Sequence, residues 1–218
     1  MLRDFQLMLS RLYGIEQALD VCDFLLTDAC LLAELEGGAD VRPTPEKVLV
    51  QESSDEMGIT LYLDAKLLER LTSLDPRRQL SRANLADFWT VLEGVSHFNY
   101  ITWNAAADKS ITLLEIEMQA EVDKYVSARL LLGQQPDNTL IDSLFSRLFD
   151  DPGFDASLGP SELSRYRSAS LYAGRFCRSL EQRFPTTSLA PEMLEELRAF
   201  FRLSQPAKVG HIQSALFA

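Results

Sequence analysis

Histidine and cysteine, on which most metal and nucleophilic sites depend, are scarce in this sequence. There are two histidines, His97 and His211, and three cysteines, Cys22, Cys30 and Cys177. No Cys-x-x-Cys pair occurs, so the odd set reads as reduced thiols in a reducing compartment, not as a disulfide framework. The phosphate-binding loops G-x-x-x-x-G-K-[ST] and G-x-G-x-x-G are missing, as are G-x-S-x-G and H-E-x-x-H. Ser96 sits beside His97, but adjacent helical residues point about 100° apart, which is wrong for a nucleophile and its base.

Positive charge is also in short supply. The net charge is -11, so the overall field repels phosphate backbones and anionic lipids and favours a basic partner. Nucleic-acid and membrane-surface binding are therefore disfavoured. The longest notable uncharged run, "GVSHFNYITWNAAA", is 14 residues with polar groups inside it, short of the ~20 apolar residues a membrane helix needs. The opening "MLRDFQLMLSRLYG" carries Arg3, Asp4 and Arg11 and lacks the apolar centre of a signal peptide. A cytoplasmic protein is expected.

What is present is helical periodicity. Residues 2–36 read as helix, with Phe5, Leu9 and Leu12 at helical spacing and Gly37-Gly38 as the stop. "RPTP" from Arg42 is a loop. "KVLVQES" and "GITLYLD" then alternate or are β-branched, which predicts a hairpin near residues 47–64 with its tip in "ESSDEM". A short helix follows in "AKLLERLTSL". A long helix opens at Asn84, its expected cap, and another at Ser110. "DNTLIDSLFSRLF" continues helical. "DDPGFDASLGP", with two prolines and two glycines in eleven residues, is the best linker candidate. Helices over about 161–183 and from Pro191 precede a last short one after Pro206. The apolar C-terminal Leu216 and Phe217 either dock on the fold or reach a partner. The expected fold is mainly α, a helical bundle with one small β-hairpin. It reads as a single domain over 1–218, within which 1–80 and 81–218 could form sub-lobes.

The two central helices carry the chemistry. On the first, Phe88, Leu92, Val95 and Trp103 form the strongest apolar face, and Glu93, His97, Tyr100 and Asn104 form a stripe opposite. Ile101 and Trp89 flank that stripe, and a helix apolar nearly all round is usually buried. Gly94 in mid-helix is unfavourable by about 1 kcal/mol against Ala, so a close approach of another helix there is expected. On the second helix, Glu115, Gln119 and Asp123 read as the solvated face. Glu117 and Glu121 share another stripe with Lys124, bordered by Leu113, Ile116, Leu114, Met118 and Tyr125. Like charges four apart repel and, among apolar neighbours, need a positive partner.

Three partners are conceivable. A metal would take Glu93, His97, Glu117 and Glu121, although the paired Glu-x-x-His of di-iron carboxylate bundles is missing and a second histidine would have to be His211. An arginine fork is the bland alternative: Glu117 or Glu121 pairs with Arg165, Arg167 or Arg175, with Lys124 assisting. A ligand or partner could also supply the charge. The candidate binding residues are therefore Glu93, His97, Tyr100, Glu117, Glu121, Arg165 and Arg175. No catalytic residue is marked and no cofactor is implied. The expected function is that of a binding protein, an adaptor, regulator or assembly subunit working through protein contacts, with a homodimer allowed. The alternative is a helical-bundle enzyme that binds a metal or ligand between the central helices.

Overall fold

Helix α1 (Leu2–Tyr13) buries Phe5, Leu9 and Leu12 along one stripe, as their spacing requires. It stops at Gly14, whose left-handed φ of 58° suits glycine and returns the chain's N–H groups to the last turn. The computed structural model describes residues 1–37, 43–53, 57–136, 139–185 and 190–215. The hairpin tip, the Arg42 end of "RPTP", and Leu216 and Phe217 lie outside the described residues.

Residues 2–36 are not helical throughout. Asp20 accepts from the Cys22 N–H and opens a short 3-10 turn, Val21–Phe24, and Asp28 caps helix α2 (Ala29–Leu35) through the Cys30 and Leu31 N–H groups. Short acidic side chains that bond their own backbone cut the apolar run into pieces. Between them, strand β1 (Leu25–Leu26) pairs in parallel with the hairpin.

The hairpin is strands β2 (Glu46–Glu52) and β3 (Met57–Leu63), antiparallel with Glu46 opposite Leu63. The sheet order is β1-β3-β2. Ile59, Leu61 and Leu63 are buried at the two-residue period of one strand face, and Tyr62 on the other face is buried too. Helix α3 (Ala65–Ser73) follows at once, capped by Asp64.

Helices α4 (Leu85–Ala105) and α5 (Leu113–Gln134) run through the middle and are buried along most of their lengths. Their starts differ from expectation. Asn84 precedes α4 but does not cap it; its amide donates to Leu74 and Gln79 carbonyls. Thr112, not Ser110, caps α5 by accepting from the Glu115 N–H. Helix α6 (Ile141–Phe145) gives way to a wider π-helical turn over Ser146–Asp150. That turn brings Phe149 against helix α7 (Pro160–Arg183) at Gly174, where an added Cβ would lie 3.2 Å from the ring. Ala169, Ala173 and Cys177 of α7 are fully buried, small residues that let it lie close on the central pair.

Helices α8 (Pro191–Arg202) and α9 (Gln205–Ala215) close the bundle. Arg198 and Arg202 of α8 donate to the carbonyls of Leu12 and Tyr13 at the end of α1, where a helix leaves its acceptors free. One apolar cluster runs from Leu2 to Ile212 and includes residues of the hairpin and of every helix but α2. Among the described residues, no helix is long and apolar enough to cross a membrane.

Candidate functional site

Glu93 and His97 are one turn apart on α4, and Glu117, Glu121 and Lys124 follow each other along α5. The two stripes face each other. Lys124 Nζ bridges Glu93 and Glu121 at 2.6 Å each. His97 Nε2 lies 3.5 Å from Glu117, whose other oxygen lies 3.5 Å from Arg165 of α7. The arginine pairing expected for Glu117 is thus made by Arg165. Glu121 is met by Lys124 instead of an arginine of α7.

A fourth carboxylate enters from the hairpin. Gly94 does mark a close approach, though of a sheet and not of a helix: a Cβ there would meet Leu61 at 2.7 Å and the Glu46 side chain at 3.0 Å. The missing side chain lets β2 and β3 lie directly on α4 and aims Glu46 at His97, with Oε1 3.6 Å from Nδ1. Sequence reasoning placed the hairpin but not this residue, because one glutamate at a strand's first position carries no local signal of what lies across from it.

The cluster is largely shielded from water, and its charges respond accordingly. Burial disfavours the His97 imidazolium, but Glu117 and Glu46 on its two sides outweigh burial and hold it well above the usual histidine range. Burial raises the Glu46 carboxyl and, against Lys124, the Glu121 carboxyl. It also opposes charge on Glu93, yet Lys124 and His97 prevail and lower that carboxyl. Burial works against the Lys124 ammonium too, and the two carboxylates it bridges more than compensate.

Pairing does not satisfy every atom. Glu46 Oε1 and His97 Nε2 are buried without a hydrogen-bond partner. Glu46, Glu93 and His97 can each offer one ligand atom, and these atoms all lie within 4.8 Å of one another. Two carboxylates and an imidazole at that separation can hold a divalent ion.

Two expected members lie elsewhere. Tyr100, three residues on, is turned about 60° round α4 from His97, and its buried hydroxyl donates to Glu115 and not into the cluster. Arg175 is exposed on the outer face of α7 and does not meet the cluster. His211 is remote as well; its Nε2 meets Glu196 of α8. No two-histidine site forms among the described residues.

The largest correction concerns α5. Glu115, Gln119 and Asp123 are buried, not solvated. Asp123 accepts from Ser96 at 2.6 Å, from Gln119 at 2.9 Å and from the Tyr13 hydroxyl. Gln119 accepts from Lys208 of α9 at 2.7 Å, and Lys208 also lies over the Phe200 ring. Burial pushes the Asp123 carboxyl up to about 6 and brings the Lys208 ammonium down to about 7. Lys208 stands in "KVGHI" with nothing in the sequence to mark it as buried.

Fold and cluster together define a mainly helical protein with a mixed-charge Glu/His/Lys site at the contact of two helices and a hairpin. No protein-family model matches the chain, and neither the curated proteins nor the solved structures contain a significant match.

Proposed function

We propose that the protein binds one divalent transition-metal ion through Glu46, Glu93 and His97. One observation carries the reading: Glu46 Oε1 is buried without a hydrogen-bond partner 3.6 Å from His97 Nδ1, beside Glu93 and within a cluster of excess negative charge. Glu46, Glu93, Glu117 and Glu121 face Lys124, Arg165 and one imidazole. With His97 protonated a single negative charge remains; a divalent ion in place of that proton leaves none. Glu117 then orients the ring from its far nitrogen, as a carboxylate behind a metal-bound histidine does. An imidazole ligand favours zinc, iron(II) or manganese over calcium or magnesium. Three side-chain ligands leave a position for water or a small ligand, where such an ion acts as a Lewis acid.

The test is calorimetric titration of chelator-treated protein with zinc and manganese near pH 7. Saturable binding of one ion per chain is expected, with about one proton released as the His97 imidazolium gives way. Glu117→Gln should weaken binding by roughly 10- to 100-fold, and Glu46→Gln with His97→Asn should abolish it. Unchanged binding in that double variant would end the proposal.

A second reading, assembly through protein contacts, is supported by large apolar side chains left in solvent, among them Leu31, Leu35 and Leu171. It predicts that the protein in a native cell extract migrates well above the mass of one chain. Migration as a lone chain would sink it.

A further inference from the structure

Two exposed faces among the described residues are complementary. The outer face of α7 presents Arg167, Leu171 and Arg175 at helical spacing, and Leu171 is 53% exposed. Beside it lies a shallow groove of about 350 Å³ bordered by Pro160, Leu163 and Ser168. Arg167 and Arg175 are exposed and, among the described residues, meet no carboxylate. They form a basic, leucine-centred strip on a protein of net charge -11. Helix α2 is its counterpart. Leu31 and Leu35 are 43% and 57% exposed one turn apart, with exposed Glu34 beside them, and only Leu32 of that helix is buried. A seven-residue helix that turns two leucines outward buries too little on its own fold to explain them.

We propose that the outer face of α7 docks α2 of a second copy of this chain. This rests on the assembly reading and is independent of the metal. Leu31 and Leu35 enter the groove beside Leu171, and Glu34 meets Arg167 or Arg175. Charge complementarity selects this occupant: two α7 faces would repel each other, as would two α2 faces. The contact joins different patches of the two copies, so each copy keeps one face free and association continues into a ring or a chain.

Sedimentation of the purified wild type over a concentration series should show reversible growth beyond one chain, weakened as salt rises. Leu171→Glu and Leu35→Glu should each sediment as single chains with unchanged melting temperatures, since both side chains are exposed. Mixed together, these two variants should form a dimer and nothing larger, because one supplies an intact α2 and the other an intact α7. Arg167→Glu with Arg175→Glu gives the same loss by charge alone. A wild type that remains single-chain at its highest soluble concentration overturns the proposal, and so does a mixture that fails to pair. If the protein in cell extract is nevertheless large, the assembly reading survives with a different partner. If it too is a lone chain, both fail.

Discussion

The two polar faces of α5 are built by different rules. On one, Glu117, Glu121 and Lys124 meet Glu93, His97, Glu46 and Arg165, so formal charges face formal charges. On the other, Asp123 is held by hydroxyls and an amide from Ser96, Tyr13 and Gln119, and the nearby Lys208 bonds an amide oxygen. The first face leaves Glu46 Oε1 and His97 Nε2 unpartnered; on the second, the oxygens of Asp123 are well supplied with donors. A buried network with every member supplied fixes a fold. A buried network with charge left over invites a cation. The difference supports the proposal that the Asp123 face is structural and the His97 face binds an ion.

Removing the centre of the saturated network should do the most damage. Asp123→Ala strands Tyr13, Ser96 and Gln119 at once and deprives Lys208 of a nearby negative charge. A loss of about 4 kcal/mol in chemical denaturation is expected, with metal affinity untouched. A loss below about 1 kcal/mol would erase the distinction between the faces.

Lys124→Met should come next and should behave differently. It leaves Glu93 and Glu121 buried without their cation, so the metal-free fold loses about 3 kcal/mol. The same change adds negative charge where the ion would sit, so zinc should bind more tightly. Saturating zinc then restores much of the stability, about 2.7 kcal/mol at a hundredfold excess over Kd. Equal melting curves with and without zinc would contradict the binding role of this face.

The faces should also oppose each other in pH. His97 is raised in the folded state, so its contribution is complete below its unfolded value near 6.5 and fades as pH rises through the folded value. Lys208 falls from 10.5 to about 7 on folding. Between those values the unfolded chain holds a proton that the folded chain lacks, so stability rises with pH, by up to about 1.4 kcal/mol per unit. In the wild type the two slopes partly cancel above pH 7. Lys208→Met should unmask a downward slope that begins near pH 6.5 and runs up to the raised folded value of His97, and His97→Gln an upward slope above pH 7. Parallel profiles for the two variants would show that these groups do not titrate as the structure implies.

How much of this was legible in the sequence follows from what each residue depends on. The facing stripes Glu93/His97 and Glu117/Glu121 could be read because charged groups sat among apolar neighbours at helical spacing. Gly94 marked a close approach because glycine is unfavourable in mid-helix. The hairpin showed itself by alternation. Glu46 and Lys208 were silent, since their burial is set by strands and helices far away in the chain. Glu115, Gln119 and Asp123 misled outright. Three polar residues four apart normally face water, and only the docking of α1 and α9 makes them interior. Helix α5 is polar on two sides, so local periodicity cannot say which side is wet. The proposed function rests on the cluster and not on any motif.

The smallest expected effect separates the arginines of α7. Arg165 meets Glu117 at the edge of the His97 face, and its guanidinium also lies over the Tyr166 ring. Arg165→Ala should therefore lower stability by about 1 kcal/mol and loosen metal binding slightly, because Glu117 loses a partner that helps fix its position. Arg175 is three turns further along on the outer face, so Arg175→Ala should leave both melting temperature and metal affinity unchanged while weakening self-association. Sequence spacing alone made these two arginines equivalent candidates. If Arg175→Ala shifted metal affinity as far as Arg165→Ala, the site would have to extend across α7, and the division between its inner, ion-pairing face and its outer, docking face would be wrong.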